Sequence, residues 1–137
     1  MPGYSGKPLA QKLGIKAGHK VLVVSGPRDY RSLVEPLPNG VSLRRSGNGP
    51  FDMIHVFSKQ AQALEPELRR LEVIMPDDGM IWVSWPKKSS GSATDLDENA
   101  VREVALRIGL VDVKVCAVDE TWSGLKLVRR LKDRADR

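Results

Sequence analysis

Cysteine, histidine and long apolar runs are all scarce in this chain, and each scarcity removes a class of function. Cys116 is the single cysteine among 137 residues, so no disulfide can form within the chain and a reducing compartment is expected. The two histidines, His19 and His55, are far apart and share no local pattern with Cys116. That leaves no metal-ligand spacing and no frame for a thiol nucleophile. No stretch approaches the roughly 20 apolar residues that a membrane-spanning helix needs. The start, Met1-Pro2-Gly3-Tyr4-Ser5-Gly6-Lys7, shows neither an apolar signal core nor a cleavage pattern, and a cytoplasmic location is expected. Gly6-Lys7 is followed by Pro8, so there is no phosphate loop, and no G-x-G-x-x-G follows a strand-like run. Serine-histidine-aspartate chemistry lacks its strained serine turn. Repeats and low-complexity linkers are also missing, so residues 1–137 read as one domain.

The net charge of +5 comes from basic residues scattered along the chain: Lys7, Lys12, Lys16, Lys20, Arg44-Arg45, Arg69-Arg70 and Lys87-Lys88, with a cluster from Arg129 to Arg137. Scattered charge is more often a source of solubility than a binding stripe, so a nucleic-acid partner is not expected. Residues 129–137 read as a frayed basic tail.

What the chain does contain is a regular alternation. Residues 7–14 suit a short helix, with Leu9 and Leu13 four apart and Gly14 as its stop. Val21-Leu22-Val23-Val24 is a continuous apolar run, as expected of a strand buried on both faces, and Ser25-Gly26-Pro27 turns the chain. A helix over 29–35, a strand over 41–44, a loop over 46–50 and a strand over 53–57 follow. Ala61, Leu64, Leu68, Leu71 and Met75 make the clearest helical stripe, with charged residues away from it. After a strand over 80–85 and a loop from Pro86, Thr94 or Asp95 can cap a helix whose buried stripe is Val101, Val104, Ala105 and Ile108. Strands over 111–118 and 125–128 are too close for a crossover and must pair antiparallel. The expected fold is therefore α/β and three-layered: a mostly parallel twisted sheet of about six strands ending in an antiparallel hairpin. The second strand is hardest to place, because Ser46 to Asp52 spans only about 24 Å when fully extended.

The segment Leu13-Gly14-Ile15-Lys16-Ala17-Gly18-His19-Lys20-Val21-Leu22-Val23-Val24-Ser25-Gly26-Pro27 resembles the first helix-to-strand passage of class I S-adenosylmethionine-dependent methyltransferases. That resemblance implies a truncated Rossmann-like sheet in which the last strand is inserted antiparallel beside the fifth. It also implies a multi-glycine turn after the first strand and an acid after the second to hold the cofactor's ribose. Here the turn has Gly26 alone, then Pro27 and Arg28, and Arg44-Arg45 stand in the acid's place. Guanidinium groups donate hydrogen bonds and cannot accept them. One helix-strand unit between the second and third strands is absent as well. Methyl transfer is not expected, and no cofactor is expected. Arginines in that place could suit a ribose phosphate, but two solvated arginines at a strand end is the simpler reading.

The chain also resembles, nearly end to end, a small bacterial family called domain of unknown function 3052. The matching segments are Gly3-Tyr4-Ser5-Gly6-Lys7-Pro8-Leu9, Trp85-Pro86-Lys87-Lys88 with Ser90-Gly91, Thr94-Asp95-Leu96, and 112–126 reading DVKVCAVDETWSGLK. The resemblance implies a fold and a bacterial origin, and no reaction.

In open α/β sheets ligands bind beyond the carboxyl ends of the parallel strands. Three unusual segments should meet there: Ser25 to Asp29, Trp85 to Asp95, and Asp119 to Ser123. The candidate ligand-binding residues are Arg28, Trp85, Lys87, Lys88, Ser90, Thr94, Asp95, Asp119, Glu120 and Trp122. Lysines and a helix N-terminus favour a small anion, and a polar loop with a good cap explains the same residues equally well. Trp85 and Trp122 are expected to frame a cleft with Lys87 facing a carboxylate from Asp95, Asp119 or Glu120, although Trp122 also suits a core cover at the sheet's corner. His55, mid-strand in an apolar run, reads as a satisfied core histidine. The function expected is a non-catalytic or regulatory domain that holds a small anionic ligand or a protein partner. The alternatives are a small enzyme using Lys87, Asp95 and Asp119 on an anionic metabolite, and a basic nucleic-acid accessory protein.

Overall fold

The computed structural model describes residues 7–134. Its elements run α1 (Leu9–Leu13), β1 (Lys20–Val24), α2 (Tyr30–Val34), β2 (Ser42–Arg44), β3 (Met53–Phe57), α3 (Ala61–Glu72), β4 (Met80–Pro86), α4 (Glu98–Arg107), β5 (Leu110–Ala117) and β6 (Trp122–Arg129). Short 3-10 turns cover Lys88–Ser90 and Leu131–Asp133.

The strands form one six-stranded sheet in the order β2-β1-β3-β4-β6-β5. The first four are parallel, and β6 lies antiparallel between β4 and β5. This is the α/β, Rossmann-like architecture expected, with its C-terminal hairpin and the last strand inserted inside the fifth.

Strand alternation divides the core into two layers. Leu22, Ile54, Val56, Ile81, Val83, Leu125 and Leu127 face the long helices, whose Leu64, Leu68, Leu71, Val101, Val104 and Ala105 are buried against them. Val21, Val23, Met53, Phe57, Met80 and Trp82 face the other way and are covered by Ala10 and Leu13 of α1 and Tyr30 and Val34 of α2. The second cover consists of two five-residue helices, too short to be stable alone. The α1 end is therefore pinned: the Trp82 indole donates to the Leu13 carbonyl at 2.9 Å. Gly14 then takes the left-handed conformation that closes the helix (φ 81°).

The short link after β2 is accommodated because β2 is only three residues long and sits at the sheet edge beside β1. Its end is level with Leu22, and β3 begins level with Val21. The link therefore crosses two strand spacings, roughly 10 Å, beneath the amino end of β1. There the Lys20 amide donates to the Asp52 carboxylate at 2.8 Å, and the Asp52 amide donates to the Lys20 carbonyl at 2.9 Å.

The C-terminal segment does not begin to fray where the sequence suggests. Arg129 is the last residue of β6 and only 4% exposed. Its guanidinium donates to the carbonyls of Glu72 and Met75 at 2.8 and 2.7 Å and pairs with the carboxylates of Glu72 and Asp77. Those carbonyls are the orphaned acceptors at and just past the end of α3, so a buried cation there answers the negative end of that helix. Arg130 pairs with Asp133 at 2.9 Å. Residues 135–137 of the expected tail, and residues 3–6 of the family-like N-terminal segment, lie outside the described residues.

Candidate functional site

The sheet's carboxyl edge brings the expected segments together. Pro86 pairs with Trp122 and Trp85 with Ser123, and the Lys87 amide donates to the Thr121 carbonyl at 2.8 Å. The loop after β4 and the turn before β6 therefore run side by side. The expected cleft between the tryptophans does not form, because successive strand residues point to opposite faces. Trp85 is buried with Leu96 and Val101 in the layer under α3 and α4. Trp122 lies on the other face, edge-on to Phe57 with ring centroids 5.0 Å apart. It covers the core at the sheet's corner.

The polar candidates at this end are engaged with backbone. The Asp95 carboxylate accepts from the Ala61 amide at 2.8 Å, so it satisfies the N-terminus of α3 rather than capping the helix that follows it. That helix, α4, is capped by Asp97, which accepts from the Ala100 amide at 2.8 Å. Thr94 donates to the Lys59 carbonyl at 2.7 Å and accepts from the Leu96 amide at 3.0 Å. Ser90 donates to the Lys87 carbonyl at 2.7 Å. Asp119 accepts from the amides of both Thr121 and Trp122 at 2.8 Å. Glu120 and Lys88 are exposed and Lys87 half-buried; among the described residues Lys87 makes no ion pair with Asp95, Asp119 or Glu120.

A cluster of arginines lies at the other end of the edge, between β1, α2 and β2. Arg28, Arg31, Arg44 and Arg45 line an open cavity of about 380 Å³ whose remaining walls are Val23, Tyr30 and Leu43. Among the described residues none of these four arginines has an ion pair. Arg45 reaches across the turn after β1 and donates to the Pro27 carbonyl at 3.0 Å. Arg28 belongs to the expected set, and the sequence alone suggests solvated arginines for Arg44 and Arg45. Arg31 was missed, because only the packing of α2 beside β2 brings it to the others. The signal available in the sequence is two arginine pairs near two strand ends, Arg28 and Arg31 after β1 and Arg44 and Arg45 at the end of β2, with Asp29 and Glu35 as the acids near them in the chain.

Beneath this cavity lies a buried polar chain. His55, with no exposed surface, sits between the Tyr30 hydroxyl (2.8 Å from Nδ1) and the Ser84 hydroxyl (2.7 Å from Nε2). Its ring stacks on Phe57 with centroids 4.3 Å apart. Burial holds its pKa down at about 3 and raises that of Tyr30. The histidine is thus a neutral, satisfied core residue, as its place in an apolar strand suggests. The serine beside it is no exposed nucleophile: Ser84 is wholly buried, next to Gly124, where an added Cβ would lie 3.4 Å from its hydroxyl. Cys116 is half-buried, and burial raises its thiol's pKa. Among the described residues no group of three or more His, Cys, Asp or Glu side chains is placed to hold a metal ion. No helix among them is long and apolar enough to cross a membrane.

Residues 56–131, from the third strand through the final hairpin, match the model of the family described as protein of unknown function (DUF3052). The chain belongs to that family. The match takes in the Trp85–Leu96 and 112–126 segments and leaves out the first 55 residues. No curated protein matches the sequence significantly. Among solved structures the fold is similar to a SAM dependent methyltransferase from Aquifex aeolicus, at TM-score 0.59 and 14% identity, covering 87% of this chain and 86% of that one. It is similar too to a precorrin-6y C5,15-methyltransferase from Geobacter metallireducens GS-15 (TM-score 0.59, 10% identity, 89% and 86% covered). A third likeness is to a ribosomal protein L11 methylase from Lactobacillus delbrueckii subsp. bulgaricus (TM-score 0.56, 12% identity, 89% and 75% covered). At these identities the likeness establishes the fold alone.

The residues at the carboxyl edge do not fit the cofactor of those neighbours. The one glycine of the turn after β1 is used for packing, since a Cβ on Gly26 would meet Val23 at 2.5 Å and Phe57 at 3.2 Å, and the Arg45 guanidinium donates to the Pro27 carbonyl of the same turn. Where a ribose would need an acceptor, beyond β2, the side chains are Arg44 and Arg45.

Proposed function

We propose that this family member is a non-catalytic binding domain built on a methyltransferase-like shell, and that it holds a small, multiply anionic ligand against the arginines of the β1–β2 edge. The observation that carries this reading is the 380 Å³ cavity lined by four arginines, none with an acidic partner among the described residues. Guanidinium groups are weakly hydrated, planar donors whose geometry matches phosphate and carboxylate oxygens bidentately. Gathering four of them with no ion pair among them carries a cost in mutual repulsion that an anion removes. The apolar wall of Val23 and Leu43, with the Tyr30 ring, would take the uncharged part of a phosphorylated metabolite. Support for an enzyme built on Lys87, Asp95 and Asp119 is weaker, because both carboxylates already accept backbone amides.

Isothermal titration calorimetry with inorganic pyrophosphate tests the reading. Saturable one-to-one binding is expected, and the Arg31→Gln/Arg44→Gln double variant should bind about tenfold more weakly or worse, since each charge-assisted hydrogen bond contributes roughly 1.5–3 kcal/mol. Both arginines are exposed, so the melting temperature should hardly move. S-adenosylmethionine should give no binding heat. Pyrophosphate affinity unchanged in the double variant would remove the site.

A further inference from the structure

The fold gathers four lysines that are scattered in the sequence. Lys114 on β5 and Lys126 on β6 are direct cross-strand partners, and α1 lies over the same face. The Lys114 ammonium donates to the Lys12 carbonyl at 3.2 Å. The Lys126 ammonium reaches under the end of α1, within 3.9 Å of where a Cβ on Gly14 would stand. Lys16 is close enough, together with Lys114, to add to the effect of burial in lowering the Lys126 pKa. Lys12 and Lys114 both act on Cys116 between them. Among the described residues none of Lys12, Lys16, Lys114 and Lys126 has an ion pair.

Like charges directly opposite each other on a sheet destabilise it, and the two flanking ammonium groups of Lys12 and Lys16 deepen that cost. The arrangement is therefore a standing electrostatic strain that a polyanion would relieve. The occupant's class follows from the kind of cation and the shape of the surface. Lysine is depleted at the centre of protein–protein interfaces, whereas contacts to phosphodiester oxygens are a principal use of it. Single strands are held chiefly by stacking on aromatic rings. Here the rings on the lysines' face are engaged in the core: Trp82, directly opposite Lys126, is wholly buried, and Trp122 packs edge-on to Phe57.

We infer that the α1–β5–β6 face, through Lys12, Lys16, Lys114 and Lys126, binds the phosphate backbone of duplex nucleic acid. This surface is separate from the arginine cavity and does not depend on it. Binding is expected to be insensitive to sequence, because phosphate contacts position a protein without reading bases.

Fluorescence anisotropy of the whole chain with a labelled RNA duplex and a labelled DNA duplex, titrated across salt, tests this. Four phosphate contacts predict a slope of log affinity against log salt of about −3 to −4. Lys114→Gln/Lys126→Gln should lose at least about tenfold in affinity at low salt and flatten that slope by about two. Its melting temperature should stay level or rise, since the opposed charges are gone; a merely structural role for the lysines predicts the reverse. Lys59→Gln/Lys88→Gln, the same charge change near the carboxyl edge, should leave the slope as it is. Preference for one duplex would name the nucleic acid, and equal binding would assign the backbone alone. Three results would overturn the inference: no binding to either duplex at low salt, a slope unchanged in Lys114→Gln/Lys126→Gln, or equally tight binding of polyglutamate.

Discussion

At the β4–β6 end of the carboxyl edge, the side chains of Thr94, Asp95 and Asp119 each bond to backbone, whereas at the β1–β2 end the side chains of Arg28, Arg31 and Arg44 have no hydrogen bond or ion pair among the described residues. Both ends are polar loops at the place where this fold puts ligands. They differ in what the neighbouring backbone needs. The first turn of α3 and the turn before β6 have orphan amides, and the carboxylates nearby are consumed in satisfying them. Around the cavity there is little comparable demand, and one carbonyl, that of Pro27, takes one guanidinium. A polar residue at a sheet edge is a candidate for ligand binding only after the backbone's own accounts are closed.

The comparison also shows how α3 is held. Asp95 accepts from its first amide and Arg129 donates to its last carbonyls, from 34 and 57 residues away in the chain. A negative group thus meets the positive end of the helix and a positive group the negative end. With both ends fixed, the apolar stripe is driven onto the sheet, and the largest effect should come from emptying that stripe. Leu68 has no exposed surface, so Leu68→Ala should cost about 2–5 kcal/mol in urea melts, the usual range for a core cavity. A loss below about half a kcal/mol would be out of keeping with a packed core site and would mean that the stripe is not what anchors this half of the edge.

Next in size is the pH response of the other half. His55 has a folded pKa of about 3 against 6.5 unfolded. Below pH 6.5 the unfolded chain takes up a proton that the native state refuses, so stability falls as pH falls, through the window from 6.5 down to 3. The expected loss between pH 7 and pH 5, above the range where most carboxylates titrate, is about 2 kcal/mol. His55→Gln should be less stable at pH 7, because Tyr30 and Ser84 lose a well-placed partner, and its stability should vary little over that interval. Equal slopes in the two proteins would place the titrating group elsewhere.

How much of this could be read from the sequence depended on range. Each strand and helix was legible to within a few residues, because Val21–Val24, the Leu64–Leu68–Leu71 stripe and the close pairing of the last two strands are local signals. The position of β2 was not, since it rests on how the eight-residue link over 45–52 runs beneath β1. The site was legible in part. The meeting of the Trp85 and Asp119 segments followed from topology. Which face each tryptophan takes depends on a register of one residue, and a shift of one reverses it. The engagement of Asp95 with α3 and of Arg129 with the far end of the same helix are long-range contacts with no local sign. The same holds for the two basic clusters. Arg31 is 13 residues from Arg44, and Lys12 is 102 from Lys114, so composition reports their charge while only the fold reports their company.

The smallest effects sharpen the comparison most, because they separate two residues that the sequence groups together. Asp95 and Lys87 both stand in the loop after β4, and both look like site residues. Asp95→Ala removes the acceptor for the Ala61 amide and should cost about 1 kcal/mol, as the loss of a helix cap does. Lys87→Met keeps the stem and removes a charge that has no ion-pair partner among the described residues. Its effect on the melt should stay within about half a kcal/mol, as for surface changes away from caps and networks. Neither change touches the arginine cavity, so pyrophosphate affinity should be the same in both variants as in the parent chain. The informative failure would be Lys87→Met weakening pyrophosphate binding while leaving the melt alone. That result would move the ligand from the β1–β2 end to the loop beside Thr121. It would show that the unpaired arginines are only solvated, and that the backbone at the β4–β6 end leaves more polar capacity free than its hydrogen bonds suggest.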